Sequence, residues 1–123
     1  MNFDNSKPIY LQIIDYIKIQ IIKGELKTGD KILSQRELAQ KLKVNPNTVQ
    51  RAYREMESNN LTETLRGQGT FIVHNEHLVE QLKEEMAEKI LNRFFKEVKS
   101  LGYKDEEILD LVKQNQSKNG RIF

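Results

Sequence analysis

Residues 34–73, SQRELAQKLKVNPNTVQRAYREMESNNLTETLRGQGTFIV, place local backbone signals in an order that few folds can use. Ser34 and Glu37 form a Ser-x-x-Glu box, whose hydroxyl and carboxylate satisfy each other's free N–H groups, so a helix is expected from Gln35 to about Leu42. Val44-Asn45-Pro46 then makes a turn, with Asn45 as cap and Pro46 as first residue of a helix running to about Ser58. One of Asn59 and Asn60 should end it in a left-handed conformation, which asparagine tolerates. Residues 61–65 and 70–73 are β-prone with period-two character and are joined by Arg66-Gly67-Gln68-Gly69. Two short helices across a tight turn, followed by a basic-tipped hairpin, have the order of a winged helix-turn-helix.

That reading assigns chemistry to side chains. If Val49, Ala52, Tyr53 and Met56 pack inward against Leu38, Ala39 and Leu42, then Asn47, Thr48, Gln50, Arg51 and Arg54 are left on polar faces, most of them in the first two turns. Asn and Gln can pair bidentately with adenine, Arg with guanine, and Thr with a phosphate or a thymine methyl. Arg66 and Gln68 at the hairpin tip would reach for the DNA backbone or an adjacent minor groove. The formal net charge is only +2, but it is unevenly distributed: between Ser34 and Arg54 the bases Arg36, Lys41, Lys43, Arg51 and Arg54 face one acid, Glu37. Such a local excess is the footprint that phosphate binding requires, although a solvated charged face would also show it.

Upstream, Ser6-Lys7-Pro8 should open a helix, with Ser6 as its cap, and Gly24 should close it. Tyr10, Ile13, Ile14, Ile17 and Ile21 form an apolar stripe, whereas Leu11, Ile19 and Ile22 fall outside it, so this helix is apolar on more than one side. Gly29-Asp30 signals a turn, after which Lys31-Ile32-Leu33 reads as a short extended piece.

Taken together, the segments Pro8-Ile9-Tyr10, Gly24-Glu25-Leu26 with Gly29, Ser34-Gln35-Arg36-Glu37-Leu38-Ala39, Asn47-Thr48-Val49 with Ala52-Tyr53, and Gly67-Gln68-Gly69-Thr70-Phe71 resemble the GntR family of bacterial transcription regulators, specifically its short YtrA-like subfamily. The resemblance runs almost continuously from Pro8 to Val73. It implies a dimeric, repressor-like protein in which Ser34 and Arg36 anchor or read an operator. Asn45, Asn47, Thr48, Gln50 and Arg51 would address the major groove, and Arg66, Gln68, Gly69 and Thr70 the region of the wing. Two positions depart from the family pattern: Leu33 stands in place of a proline, which could loosen the start of the following helix, and Asn60 in place of a glycine. Members of the subfamily tend to control transporter operons.

Residues 76–123 carry a helical pattern. Leu78, Leu82, Met86, Ile90, Phe94 and Val98 recur every fourth residue, with Val79, Leu91 and Phe95 widening the stripe, in a helix expected to end near Gly102. Asp105 should cap a second helix with Ile108, Leu109, Leu111 and Val112 on its apolar face, and residues from 118 onward read as a tail. The expected architecture is mainly α with a small β-hairpin wing: a winged helix-turn-helix over residues 1–75, then a two-helix antiparallel dimerisation hairpin over residues 76–123. Leu78, Leu82, Met86, Ile90, Phe94, Ile108 and Val112 are the candidate dimer contacts, because so long an apolar stripe should not stay wet. Packing of that stripe against residues 9–23 of the same chain is the alternative.

Other function classes find little support. The chain has no cysteine, which excludes disulfides and thiolate metal sites. Its most apolar run carries Asp15, Lys18 and Gln20, and its start lacks a signal-peptide pattern, so a cytoplasmic, soluble protein without a membrane partner is expected. His74 and His77 lack a third metal ligand, and no nucleophile–base pair stands out, so neither a metal, a cofactor nor an enzyme is expected. Besides an operator-binding homodimer, a winged helix used for protein contact and a small-molecule sensor remain open. The C-terminal segment is short for an enclosed pocket, so an effector site would lie between subunits.

Overall fold

A computed structural model describes residues 1–118; the expected tail falls outside them except for its first residue. The order of elements is α1 (Ile9–Ile22), α2 (Gln35–Leu42), α3 (Pro46–Ser58), β1 (Thr62–Leu65), β2 (Gly69–Ile72), α4 (Leu78–Lys99) and α5 (Asp105–Lys118). The chain divides into two compact units, Met1–Lys83 and Glu84–Phe123.

In the first unit the apolar stripes of three helices meet. Ile13, Ile14, Ile17 and Ile21 of α1, Leu38 and Ala39 of α2, and Val49, Ala52, Tyr53 and Met56 of α3 are all buried in one cluster. Leu11 and Ile19, off the α1 stripe, are exposed. Helix ends follow backbone chemistry. The Ser34 hydroxyl accepts from the Glu37 N–H at 3.1 Å while the Glu37 carboxylate accepts from the Ser34 N–H at 2.9 Å, a complete capping box. Asn45 caps α3 by accepting from the Asn47 N–H at 2.8 Å, with Pro46 in the first turn. At the other end of α3, Asn60 takes the left-handed position at φ 60°, and the Leu61 N–H donates to the Met56 carbonyl at 2.9 Å, so asparagine fills the place of a Schellman glycine.

Two helix starts differ from expectation. The residue flanking α1 is Pro8, and Ser6 instead bonds Asp4 through both its N–H and its hydroxyl. Gln12 reaches back to pin this lead-in, accepting from the Asp4 N–H and donating to the Asp4 and Lys7 carbonyls. Asp105 is the first residue of α5 and not its cap; the Glu107 carboxylate accepts from the Lys104 N–H, while Asp105 pairs with Lys99 at 2.9 Å.

The hairpin pairs Thr62 with Ile72 and Leu65 with Gly69, so Gly69 already belongs to β2 and the tip is Arg66-Gly67-Gln68. The extended piece before α2 joins this sheet. Lys31 bridges Phe71, the Ile32 N–H donates to the Thr70 carbonyl, and the Asp30 carbonyl accepts from the Ile72 N–H. At the base of the hairpin Thr62 and Ile72 face the core, and the Glu57 carboxylate of α3 accepts from the Thr64 N–H, tying wing to helix.

Leu78 and Leu82, at the start of α4, are 5 % and 4 % exposed within the core of the first unit. This moves the boundary between compact units from the expected 75/76 to 83/84. It also corrects the role expected of these two leucines, because their surface is already covered within one chain. In the second unit α4 and α5 run antiparallel: Lys99 meets Asp105, while Phe94 and Leu91 share an open apolar groove with Ile108, Leu109 and Val112. Ile108 is buried there, so it too is covered within the chain. Met86, Phe94 and Val112 are half-buried, and Ile90 and Leu109 are 55 % and 59 % exposed.

Candidate nucleic-acid interface

Between the two capped helices lies an open concavity of about 740 Å³, with Ala39, Val44 and Pro46 among its lining and the polar side chains of Gln35, Arg36 and Gln40 from α2 and of Asn47 and Gln50 from the start of α3 around them. Arg36, Asn47 and Gln50, all expected to meet DNA, are therefore brought together and exposed. The backbone is fixed at both helix starts, by the capping box of α2 and by the Asn45 cap with Pro46 at α3. A groove-reading surface needs that rigidity, because side chains ordered on binding reduce affinity.

The other expected contact residues divide. Ser34 and Asn45 are exposed, and both side-chain oxygens serve as caps, which leaves the serine O–H and the asparagine amide N–H groups as donors. Thr48 is half-buried. Arg51 points to a different neighbour, α1: its guanidinium carbon lies 3.9 Å from the Tyr10 ring centroid and its Nη2 donates to the Tyr10 hydroxyl at 3.2 Å. On the wing, Arg66 and Gln68 are exposed at the tip and Gly69 is partly covered. Thr70 is 9 % exposed, its hydroxyl pairs with that of Thr64 at 3.2 Å, and its carbonyl accepts from Ile32. Its side chain supports the wing from inside, which corrects its expected place in the contact set.

Lys31 was missing from that set. A Cβ added to Gly69 would stand 2.6 Å from the Lys31 Cε, so the end of the lysine side chain lies over the wing at a position whose φ of 124° favours glycine. The Lys31 charge also helps hold the Glu37 carboxyl below its ordinary 4.5, after the larger effects of the backbone and side-chain hydrogen bonds from Ser34. A cation thus sits between the wing and the start of α2. Exposed Lys31, buried Ile32 and exposed Leu33 alternate as an extended strand does, but Leu33 is apolar, so the sequence alone does not show that alternation. Gln40 could have been found one helical turn from Arg36.

Leu33, the departure from the family's proline, is exposed, and its carbonyl accepts from the Tyr53 hydroxyl at 2.5 Å. Burial first, and the Glu37 charge second, push the Tyr53 phenol well above its ordinary 10, so it stays a protonated donor. The lead-in to α2 is thereby held from the core side.

The two histidines do not converge. His77 lies 3.3 Å from Glu76 and 3.6 Å from Glu80, whereas the His74 ring packs over Gly29. Among the described residues no three His, Cys, Asp or Glu side chains gather as a metal site, and no helix is long and apolar enough to cross a membrane.

Capped helix, turn, exposed polar helix and basic wing together define a winged helix-turn-helix DNA-binding protein. Residues 9–72 match the family described as bacterial regulatory proteins, gntR family. The chain is 49 % identical over 111 residues to the HTH-type transcriptional regulator YhcF of Bacillus subtilis, covering 90 % of this chain and 92 % of that protein. It is 42 % identical over 97 residues to the HTH-type transcriptional repressor YtrA of the same organism, covering 74 % and 75 %. A solved GntR family transcriptional regulator from Listeria monocytogenes superposes with a TM-score of 0.78 at 45 % identity, covering 91 % of this chain and 98 % of that one. This chain belongs to the GntR family of DNA-binding transcription regulators.

Proposed function

We propose that the protein acts as a homodimeric repressor that recognises a palindromic operator, with α3 in the major groove and the wing on the flanking backbone. The concavity in which Arg36, Asn47 and Gln50 converge carries this reading. These are the side-chain types that read guanine and adenine edges, and they stand on a backbone fixed by two caps. Ser34, Asn45, Thr48, Arg51, Arg66, Gln68 and the Gly69 backbone complete the contact set, with Lys31 as an added phosphate partner. Dimerisation falls to the second unit, through Met86, Ile90, Phe94 and Val112 with their exposed neighbours Leu91 and Leu109. An apolar face of this kind favours a second copy, and two-fold symmetry matches two half-sites about 34 Å apart or a multiple of that.

Selection of duplexes from a randomised pool by the purified protein tests this directly. Enrichment of an inverted repeat is the expected result, with a dimer of the free protein in sedimentation. If Lys31, Arg51 and Arg66 of both copies each meet a phosphate, affinity should fall about a thousandfold between roughly 50 and 200 mM salt. No enriched sequence, together with salt-independent binding, would overturn the reading.

A further inference from the structure

The contact between Tyr10 and Arg51 joins residues 41 positions apart, on two different helices. Tyr10 is half-buried and packed against the core cluster, whereas Arg51 is exposed. The anchored partner is therefore the ring, and the guanidinium lies on it with one face covered and one N–H committed to the phenol oxygen. Among the described residues no carboxylate forms a salt bridge with Arg51. A carboxylate would have fixed the side chain equally well but cancelled its charge. A tyrosine restrains the fork and leaves the full positive charge and the remaining donors available to a polyanion.

We propose that Tyr10 is a positioning residue for DNA recognition: it restrains the Arg51 guanidinium before the duplex arrives, so that α1, which is not a reading helix, sets the aim of a recognition-helix side chain. The proposal rests on Arg51 addressing DNA. An unrestrained arginine would have to be ordered at the moment of binding, and removing that requirement is worth about three- to tenfold in affinity for one long side chain.

A double-mutant cycle on the duplex selected by the wild-type protein tests it, with random duplex measured in parallel and urea unfolding confirming that each variant is folded. Tyr10→Leu keeps the apolar contact with the core and should weaken binding about three- to tenfold. Tyr10→Phe keeps the stack, loses the hydrogen bond and should fall between. Arg51→Ala should lose more, and adding Tyr10→Leu to it should cause no further loss. An equal effect of Tyr10→Leu in both backgrounds would overturn the proposal, because Tyr10 would then act on DNA or on the fold without Arg51. Unchanged or tighter binding by Tyr10→Leu would overturn it as well, showing that the stack does not prepare Arg51. If Arg51→Ala alone left binding intact, the assignment of Arg51 to DNA would fail first, a result that needs no Tyr10 variant to be seen.

Discussion

Thr62 sits where the wing enters the core, with its side chain 2 % exposed and its hydroxyl without a hydrogen-bond partner among the described residues. The next hydroxyls on that face, Thr64 and Thr70, pair with each other and offer it nothing. In the unfolded chain the Thr62 hydroxyl is hydrated, and the folded protein offers it no partner among the described residues; a hydroxyl buried unpaired costs about 1–3 kcal/mol. Thr62→Val keeps the branched shape suited to a strand and adds a buried methyl worth about 0.8 kcal/mol. Crowding by the slightly larger group offsets part of the gain, so the net expectation is a stabilisation of about 1–2 kcal/mol. In urea, with a slope of about 1–2 kcal/mol/M, the midpoint should rise by roughly 1 M. Circular dichroism during denaturant and thermal unfolding measures this, and an inward-facing change should leave DNA affinity alone. A variant that unfolds at lower urea with the same slope would refute the reasoning, since the hydroxyl would then be satisfied in solution by a buried water.

Other perturbations separate wing, cap and charge. Gly69→Ala should destabilise the first unit by about 1–2 kcal/mol, because φ 124° disfavours a side chain and the new Cβ meets Lys31, and adding Lys31→Ala should restore the part due to the clash. Equal losses with and without Lys31, by urea unfolding, would leave the backbone as the whole cause. Arg66→Ala should weaken binding to selected and random duplexes alike and reduce the salt slope by about 1 per copy; loss confined to the selected sequence would make Arg66 a base reader instead. Glu37 is held below its ordinary 4.5, so its contribution to stability is present above that pH and is lost as pH falls through the lowered value. Glu37→Gln should therefore be less stable than wild type at neutral pH, with the difference closing in acid; a constant difference across the titration would show that the charge plays no part.

What the sequence made legible is what the backbone decides locally. Ser34 with Glu37, Asn45 with Pro46, and Asn59-Asn60 name their helix ends because each satisfies orphan N–H or C=O groups within a few residues. The concavity of Arg36, Asn47 and Gln50 follows from the two helices so defined. The features that escaped are held by distant partners. Nothing near Tyr10 announces Arg51, and nothing in Lys31-Ile32-Leu33 states that it will pair with the hairpin. Thr70 looks like any wing residue until its cross-strand neighbour, Thr64, claims the hydroxyl. The fourfold stripe from Leu78 to Val98 has the same period throughout, so periodicity alone could not show that its first two leucines belong to a different core from the rest.

That last feature governs how the protein can be divided. A DNA-reading fragment ended at residue 75 would lack Leu78 and Leu82, each worth about 1.5–3 kcal/mol of burial, a large share of the 5–15 kcal/mol by which a domain is typically stable. One ended at Lys83 keeps both side chains but leaves them on a frayed helical stub. The helical turns that follow Lys83 supply the backbone hydrogen bonds that end-fraying would otherwise cost the Leu82 turn, so a fragment carried through Lys99 should resist unfolding better than one ended at Lys83. Where such a fragment is cut thus decides how much of its stability it keeps, even though every side chain expected to meet DNA lies upstream of both cuts.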